Sequence, residues 1–257
     1  MIIYSWNMLY RNKELDRAFE FISHADFDFF CLQEVPEDFL KRLATLPYPV
    51  ASSVDTEKIF PSGAVPMHTV ILSRHPIASQ GEIPFDDYQA LLPLRARLFT
   101  RLMRPFHFAP VRNRSGLYID TTADGVPVRI FSLHLSLTNP SWRLEEFERA
   151  MLKRDPSRPS IVCGDFNIVE APHVALLNWI FGGRVSDALR YQRERTTIED
   201  RFVAHELTNV LRGAVTHPFS RSQLDHLLVS RSFSIRDAAV LPDRMGSDHH
   251  PIRAEIE

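Results

Sequence analysis

Eight short runs of β-branched and apolar residues constrain this chain more than any other feature: they lie near 2–6, 27–32, 68–73, 117–122, 127–134, 159–163, 224–230 and 234–240. Each has the length and composition of a strand. Between several of them the apolar period changes from two residues to the helical repeat. Residues 13–24 place Leu15, Ala18, Phe19 and Ile22 on one face, and residues 141–153 do the same with Trp142, Leu144, Phe147 and Met151. Residues 172–181 carry Val174, Leu177 and Ile180, and Pro36 before Glu37-Asp38-Phe39-Leu40 marks a further helix start. Pro47, Pro49, Pro61, Pro66, Pro76 and Pro84 read as loop punctuation. Strands interleaved with helices, several too short for wholly parallel winding, predict mixed sheets packed against each other with helices outside. With no Gly/Ser-rich linker, low-complexity tract or internal repeat, one domain spanning 1–257 is expected.

A hydrophobic content of 44% supplies a sizeable core. The net charge of -2 excludes a molecule-wide attraction to polyanions, so any basic surface has to be local. Cys31 and Cys163 each sit in an apolar run, which predicts buried thiols rather than a disulfide framework or a thiolate metal site. Arg95, Arg97, Arg101 and Arg104 interrupt the longest apolar stretch before it reaches the length of a membrane span. Ile2, Ile3 and Tyr4 already read as a strand rather than a signal peptide, and a cytoplasmic location is expected.

Four segments carry chemistry. In 159–167 an apolar strand ends at Gly164 and delivers Asp165 and Asn167 two residues apart, which strand geometry would point to the same side. An acid to orient or deprotonate water beside an amide that binds a phosphate oxygen makes a hydrolytic pair, although Asp and Asn also suit a plain turn. In 30–36 another buried strand ends in Glu34, where a hard cation can be held. In 245–251 an acid, Asp248, directly precedes His249 on a loop bounded by Gly246 and Pro251. In 223–230 a buried acid, Asp225, requires a partner, and the neighbouring His226 is a good one. His134, at the end of the apolar run 130–135, poses the same question.

In this order the segments resemble the endonuclease/exonuclease/phosphatase superfamily. The matching stretches are Ser5-Trp6-Asn7, Leu32-Gln33-Glu34, residues 71–77, Ser132-Leu133-His134, Gly164-Asp165-Phe166-Asn167, Leu224-Asp225-His226 and Ser247-Asp248-His249. The resemblance implies an α/β (α+β) fold of deoxyribonuclease I type: a four-layer α/β/β/α sandwich of two mixed β-sheets flanked by helices, with the site at one end between the sheets. It also implies roles. Glu34 is the principal metal ligand, with Asp248 and Asn7 nearby. Asp165 and Asn167 position or activate the attacking water and hold the phosphate, and His134 binds phosphate. Asp225 and His249 form an acid–histidine dyad, and either Asp165 or His249 is the general base. Oxygen-rich ligands favour Mg²⁺ or Mn²⁺, as one or two ions, for in-line attack by water on a phosphate ester. Branches of the superfamily that repair abasic sites carry Tyr-x-Pro where this chain has His134-Leu135-Ser136, which weighs against that activity.

From Tyr88 to Ile119 there is no acid but there are six arginines. Written as a helix, Leu91, Leu94, Leu98 and Leu102 fall on one side and Arg97, Arg101 and Arg104 on another. Either the leucines cover the core and the arginines are solvated, or the arginines bind substrate. Nucleic acid is the expected substrate and a phosphorylated lipid or small molecule the alternative, with no obligate protein partner.

Overall fold

The computed structural model describes residues 1–103 and 109–257, with residues 89 and 90 followed by backbone alone. Along the chain the elements are β1 (Ile2–Asn7), α1 (Leu15–His24), β2 (Phe29–Pro36), α2 (Glu37–Leu43), β3 (Val50–Phe60), β4 (Gly63–Ser73) and β5 (Ile77–Pro84). A 3₁₀ turn (Tyr88–Leu91) leads into α3 (Leu94–Leu102), β6 (Val111–Arg112), β7 (Ser115–Ala123), β8 (Val126–His134), α4 (Pro140–Met151) and β9 (Ser160–Asp165). Then come α5 (Pro172–Ile180), α6 (Val185–Leu189), α7 (Gln192–Ala204), β10 (Leu207–Asn209), β11 (Asp225–Ser230), β12 (Ile235–Val240) and β13 (Ile252–Ile256).

Among the described residues the strands form two mixed sheets, ordered β12-β13-β1-β2-β4-β3-β6 and β10-β11-β9-β8-β7-β5. Each has one parallel pair, β1/β2 and β8/β9, joined through α1 and α4 respectively. The sheets meet over a slab that includes Ile3, Phe29, Cys31 and Ile71 from one and Ile119, Ile130, Ile161 and Leu227 from the other. On the outer faces, Ala18 and Ile22 of α1 cover Phe30 and Leu32, while Phe147 and Ala150 of α4 cover Phe131 and Val162. Alternate residues of a strand face opposite layers, so β2 feeds both slabs. This is the four-layer sandwich, and both cysteines are buried free thiols, as expected.

Strands β3, β5, β6, β10 and β13 lie outside the runs read from the sequence; β13 nonetheless alternates Ile252, Ala254 and Ile256 inward with Arg253 and Glu255 between them, a short pattern that went unread. In β3, Ser52, Ser53, Asp55, Thr56 and Lys58 break the apolar alternation, yet its ladder with β4 runs from Val50↔Leu72 to Phe60↔Gly63. Pro66 lies within β4 rather than in a loop. The β2/β4 pairing stops at Pro36↔Met67, so the missing N–H of Pro66 removes nothing from that ladder.

The parallel pairs set the site. The C-terminal ends of β1, β2, β8 and β9 emerge at one edge of the sandwich with Asn7, Glu34, His134 and Asp165. His134 is the register partner of Asp165, and Asp225 at the start of antiparallel β11 also pairs with Asp165.

Candidate active site

Gly164, one residue before Asp165, has φ +137°, and a Cβ there would lie 1.8 Å from the Leu133 carbonyl oxygen. Only glycine lets β9 run this close to β8. β9 ends at Asp165, so strand periodicity does not align Asp165 with Asn167. They converge instead because Asn167, at φ +54°, donates its backbone N–H to Asp165 Oδ1 at 2.8 Å. The Asn167 side chain donates to the Leu135 carbonyl at 2.8 Å, and Asn7 Nδ2 donates to Asp165 Oδ2 at 3.0 Å. Asn7 Oδ1 accepts from the Leu9 N–H, and its carbonyl accepts from the Ser247 hydroxyl, which ties the last loop to β1.

Glu34 sits at a bulge where the β2/β4 register slips, with φ +55°. A non-glycine residue in that region costs about 1–3 kcal/mol, which marks a position the surrounding structure enforces. Its Oε2 accepts the Tyr10 N–H at 3.1 Å. Burial pushes the carboxyl up, but Lys58, His134 and the Tyr10 N–H outweigh it and hold Glu34 below its ordinary range. Asp248 is half-exposed. Partial burial raises its carboxyl, yet His217 and His249 bring it down to about 2. Both carboxylates are therefore ionised at neutral pH.

Two imidazoles converge on Asp165. His134 Nδ1 lies 2.6 Å from Asp55 Oδ2, and His249 Nδ1 lies 2.8 Å from Asp225 Oδ2. In each case Nε2 is left 3.7 Å from the same oxygen, Asp165 Oδ2. Burial opposes the charged form of both rings. Asp55, Asp165 and Glu34 nonetheless lift His134 to about 9, and Asp225, Asp165 and Asp248 lift His249 to about 10. Burial, reinforced by Asp225, pushes the Asp165 carboxyl up against the pull of the two imidazoles. Behind His134, Arg114 donates to its carbonyl at 2.8 Å and pairs with buried Glu146, which accepts the Ser136 N–H at 2.7 Å.

His226 is not the partner of Asp225. Adjacent strand residues point to opposite faces. The His226 ring stacks on Phe166 at 4.7 Å, its Nδ1 donates to the Leu224 carbonyl, and its Nε2 accepts from Arg195.

The structure brings Asn7, Glu34, His134, Asp165, Asn167, Asp248 and His249 into one cleft of about 370 Å³, with Asp225 directly behind His249. Among the described residues, His217, Asp248 and His249 each place a ligand atom within 4.8 Å of the others, as do Asp165, Asp225 and His249. Ionised Glu34 and Asp248, the second of which raises the carboxyl of the first, and this oxygen-rich, imidazole-edged set fit a hard divalent cation. Arg97 and Arg101 are exposed and absent from the cleft lining, and Arg104 lies outside the described residues. The sequence reading missed Asp55, Lys58 and His217. Asp55 carried no usable signal, because its strand reads as a loop, and neither did His217, at an isolated bridge to Ser222 just before Pro218.

The endonuclease/exonuclease/phosphatase family profile matches residues 4–249. The chain belongs to this family. It is accordingly a phosphoesterase, and members of the family are generally divalent-metal dependent. No curated protein matches it at the sequence level. Solved structures share the fold across 100% of this chain. One, an endonuclease/exonuclease/phosphatase from Beutenbergia cavernae, is 19% identical with a TM-score of 0.71 and is covered over 71% of its length. The mannosyl-6-phosphatase Bt3783 of Bacteroides thetaiotaomicron is 19% identical with a TM-score of 0.63 over 99% of its length. D. rerio TDP2, complexed with single-strand DNA product, is 14% identical with a TM-score of 0.63 over 98% of its length.

Proposed function

We propose that residues 1–257 form one domain that hydrolyses a phosphate ester by in-line attack of water, with Mg²⁺ or Mn²⁺ bound through Glu34, Asp248 and Asn7. The observation that carries this reading is the convergence of both imidazole Nε2 atoms on Asp165, beside ionised Glu34 and Asp248. A bound divalent cation polarises a phosphoryl oxygen and offsets the charge that develops on the leaving oxygen. Asp165 takes the proton of the attacking water, and Asn7 and the Asn167 N–H hold its carboxylate in line. His134 and His249, charged and fixed at Nδ1 by Asp55 and Asp225, present Nε2–H to the phosphoryl oxygens, where negative charge grows. Asn167 completes the phosphate end.

Two substrate readings have support. A nucleic-acid ester is favoured by the likeness to TDP2 with its DNA product. A phosphorylated lipid is favoured by the aliphatic part of the cleft lining, which includes Leu92, Val111, Val174, Leu177 and Leu224. Arg11, Lys58 and Arg114 line the cleft while Arg97 and Arg101 stay outside it, so it is the aliphatic residues rather than a lack of cations that favour the second reading. The test is a side-by-side assay with Mg²⁺ on plasmid DNA, RNA, sphingomyelin, phosphatidylglycerol and inositol phosphates. Turnover of one class well above the others assigns the substrate, and hydrolysis of none of them in the presence of either metal would refute the esterase reading.

A further inference from the structure

Helix α3 and the 3₁₀ turn before it, which ends at Leu91, turn their apolar side the wrong way for a core segment. Leu91, Leu94, Leu98 and Leu102 are 67%, 67%, 57% and 74% exposed, and their spacing strings them along one side. Of the two readings left open by the sequence, the one in which these leucines cover the core is overturned. The buried side is instead Ala96 and Thr100, whose small side chains let the helix lie close to α5, with Phe99 edge-on to Phe181 at 5.5 Å. Arg95 fixes the helix in this rotation by donating to the Trp179 carbonyl at 2.8 Å and the Gly183 carbonyl at 3.1 Å. The outward leucines are therefore a consequence of specific packing rather than of a loosely placed segment.

Charge says what such a ridge can meet. Arg97 and Arg101 stand exposed beside the leucines, and no acid occurs between Tyr88 and Ile119 to neutralise them. A chain of net charge -2 has thus set a local cationic, aliphatic strip on one helix. Nucleic acid has use for the arginines and none for four leucines. A second copy of the chain meeting this ridge about a two-fold axis would set Arg97 and Arg101 against their own counterparts. An anionic lipid surface satisfies both features at once: aliphatic side chains enter the acyl boundary while guanidinium groups meet headgroup phosphates. Position adds to this. Leu92 and Thr100, from the same segment, line the cleft, so whatever α3 rests on is brought to the cleft rim.

We propose that residues 91–102 are a docking element for an anionic phospholipid surface. Leu94, Leu98 and Leu102 insert and Arg97 and Arg101 bind headgroup phosphate, so that the open side of the cleft faces the membrane. This attachment does not depend on which ester the site hydrolyses.

The test is co-sedimentation of the full chain with vesicles of phosphatidylcholine mixed with phosphatidylglycerol, against phosphatidylcholine alone, over a salt series. Wild type should bind the mixed vesicles, more weakly as salt rises. Leu94/Leu98/Leu102→Gln should lower partitioning by at least about tenfold while hydrolysis of soluble bis-p-nitrophenyl phosphate stays unchanged. Arg97/Arg101→Gln should lower it by about fivefold per arginine, and only on the anionic vesicles. Leu98→Trp gives an independent readout, a blue shift of its fluorescence on adding anionic vesicles. Absence of wild-type binding together with an unshifted Leu98→Trp spectrum would overturn the proposal. So would a wild-type dimer in light scattering that the leucine variant converts to monomer, or binding to duplex DNA, without any to vesicles, that the arginine variant abolishes.

Discussion

Asp55 Oδ2 lies 2.6 Å from Nδ1 of His134, so a buried acid from one sheet fixes the tautomer and charge of an imidazole at the end of a strand in the other. The same device recurs at Asp225 and His249, and the two imidazoles converge on one oxygen of Asp165. In the proposed reaction a phosphoryl group beside them would meet two cationic donors whose orientation is set before it arrives, so no reorganisation would be needed as charge develops.

If Asp55 acts through His134, Asp55→Asn should lower kcat by about 10–100-fold, the usual cost of losing a group that orients an active-site histidine. NMR titration should show the His134 imidazole falling from about 9 toward the ordinary histidine value. A variant with reduced kcat but an unshifted imidazole would mean that Asp55 acts through the packing of the sheets instead.

Glu34 holds its place through a strained bulge and the Tyr10 N–H, and its charge is stabilised by Lys58 and His134. Glu34→Gln preserves shape while removing the charge that a hard cation requires. The Mg²⁺ concentration for half-maximal activity should rise by about tenfold or more, with part of the rate recovered at saturating metal. An unchanged metal requirement would exclude Glu34 from the ion's ligands.

Asp225 and His249 should behave as a unit. Each alanine substitution should lower kcat by about 10²–10⁴-fold, the range for a positioned proton-transfer or charge-stabilising group. The double variant should lose little more than the worse single one. A double loss equal to the product of the single losses would separate their roles.

His226 supplies a pH test away from the chemistry. Burial, then repulsion from Arg195, hold its folded pKa well below the ordinary histidine value of about 6.5, so it is buried neutral. Between the two values the unfolded chain binds the extra proton, and stability rises with pH. The contribution is therefore full above about 6.5 and is lost as pH falls below it. In thermal melts from pH 8 to pH 5, about 1.5 units either side of that value, wild type should lose more Tm than His226→Gln. Parallel slopes would contradict a neutral buried imidazole.

The strands that bury apolar residues on both faces, such as β2, β9 and β11, were legible because their pattern belongs to the chain itself, and so was the four-layer plan that the resemblance implied. Glu34, Asp165 and Asn167 were legible because acids and an amide stand at or just past the ends of apolar runs, and His249 because it follows an acid on a loop bounded by glycine and proline. Asp55 and β3 were not, because a hairpin strand rich in serine, threonine and charge resembles a loop until β4 pairs with it. The partner of Asp225 was ambiguous for a related reason: the neighbour in sequence, His226, points away, while His249, 24 residues distant, arrives through a loop tied to Asn7. The direction of α3 was hidden as well, since periodicity finds an apolar side without saying whether the core or the solvent receives it.

The most direct measurement of the central claim is hydrolysis of bis-p-nitrophenyl phosphate by the purified chain in excess chelator, then with Mg²⁺ or Mn²⁺ restored, beside an Asp165→Asn variant. The account predicts no turnover in chelator, recovery with either metal, and a loss of at least about 10²-fold in Asp165→Asn at every metal concentration. Full activity in chelator, or an Asp165→Asn variant as fast as wild type, would contradict it.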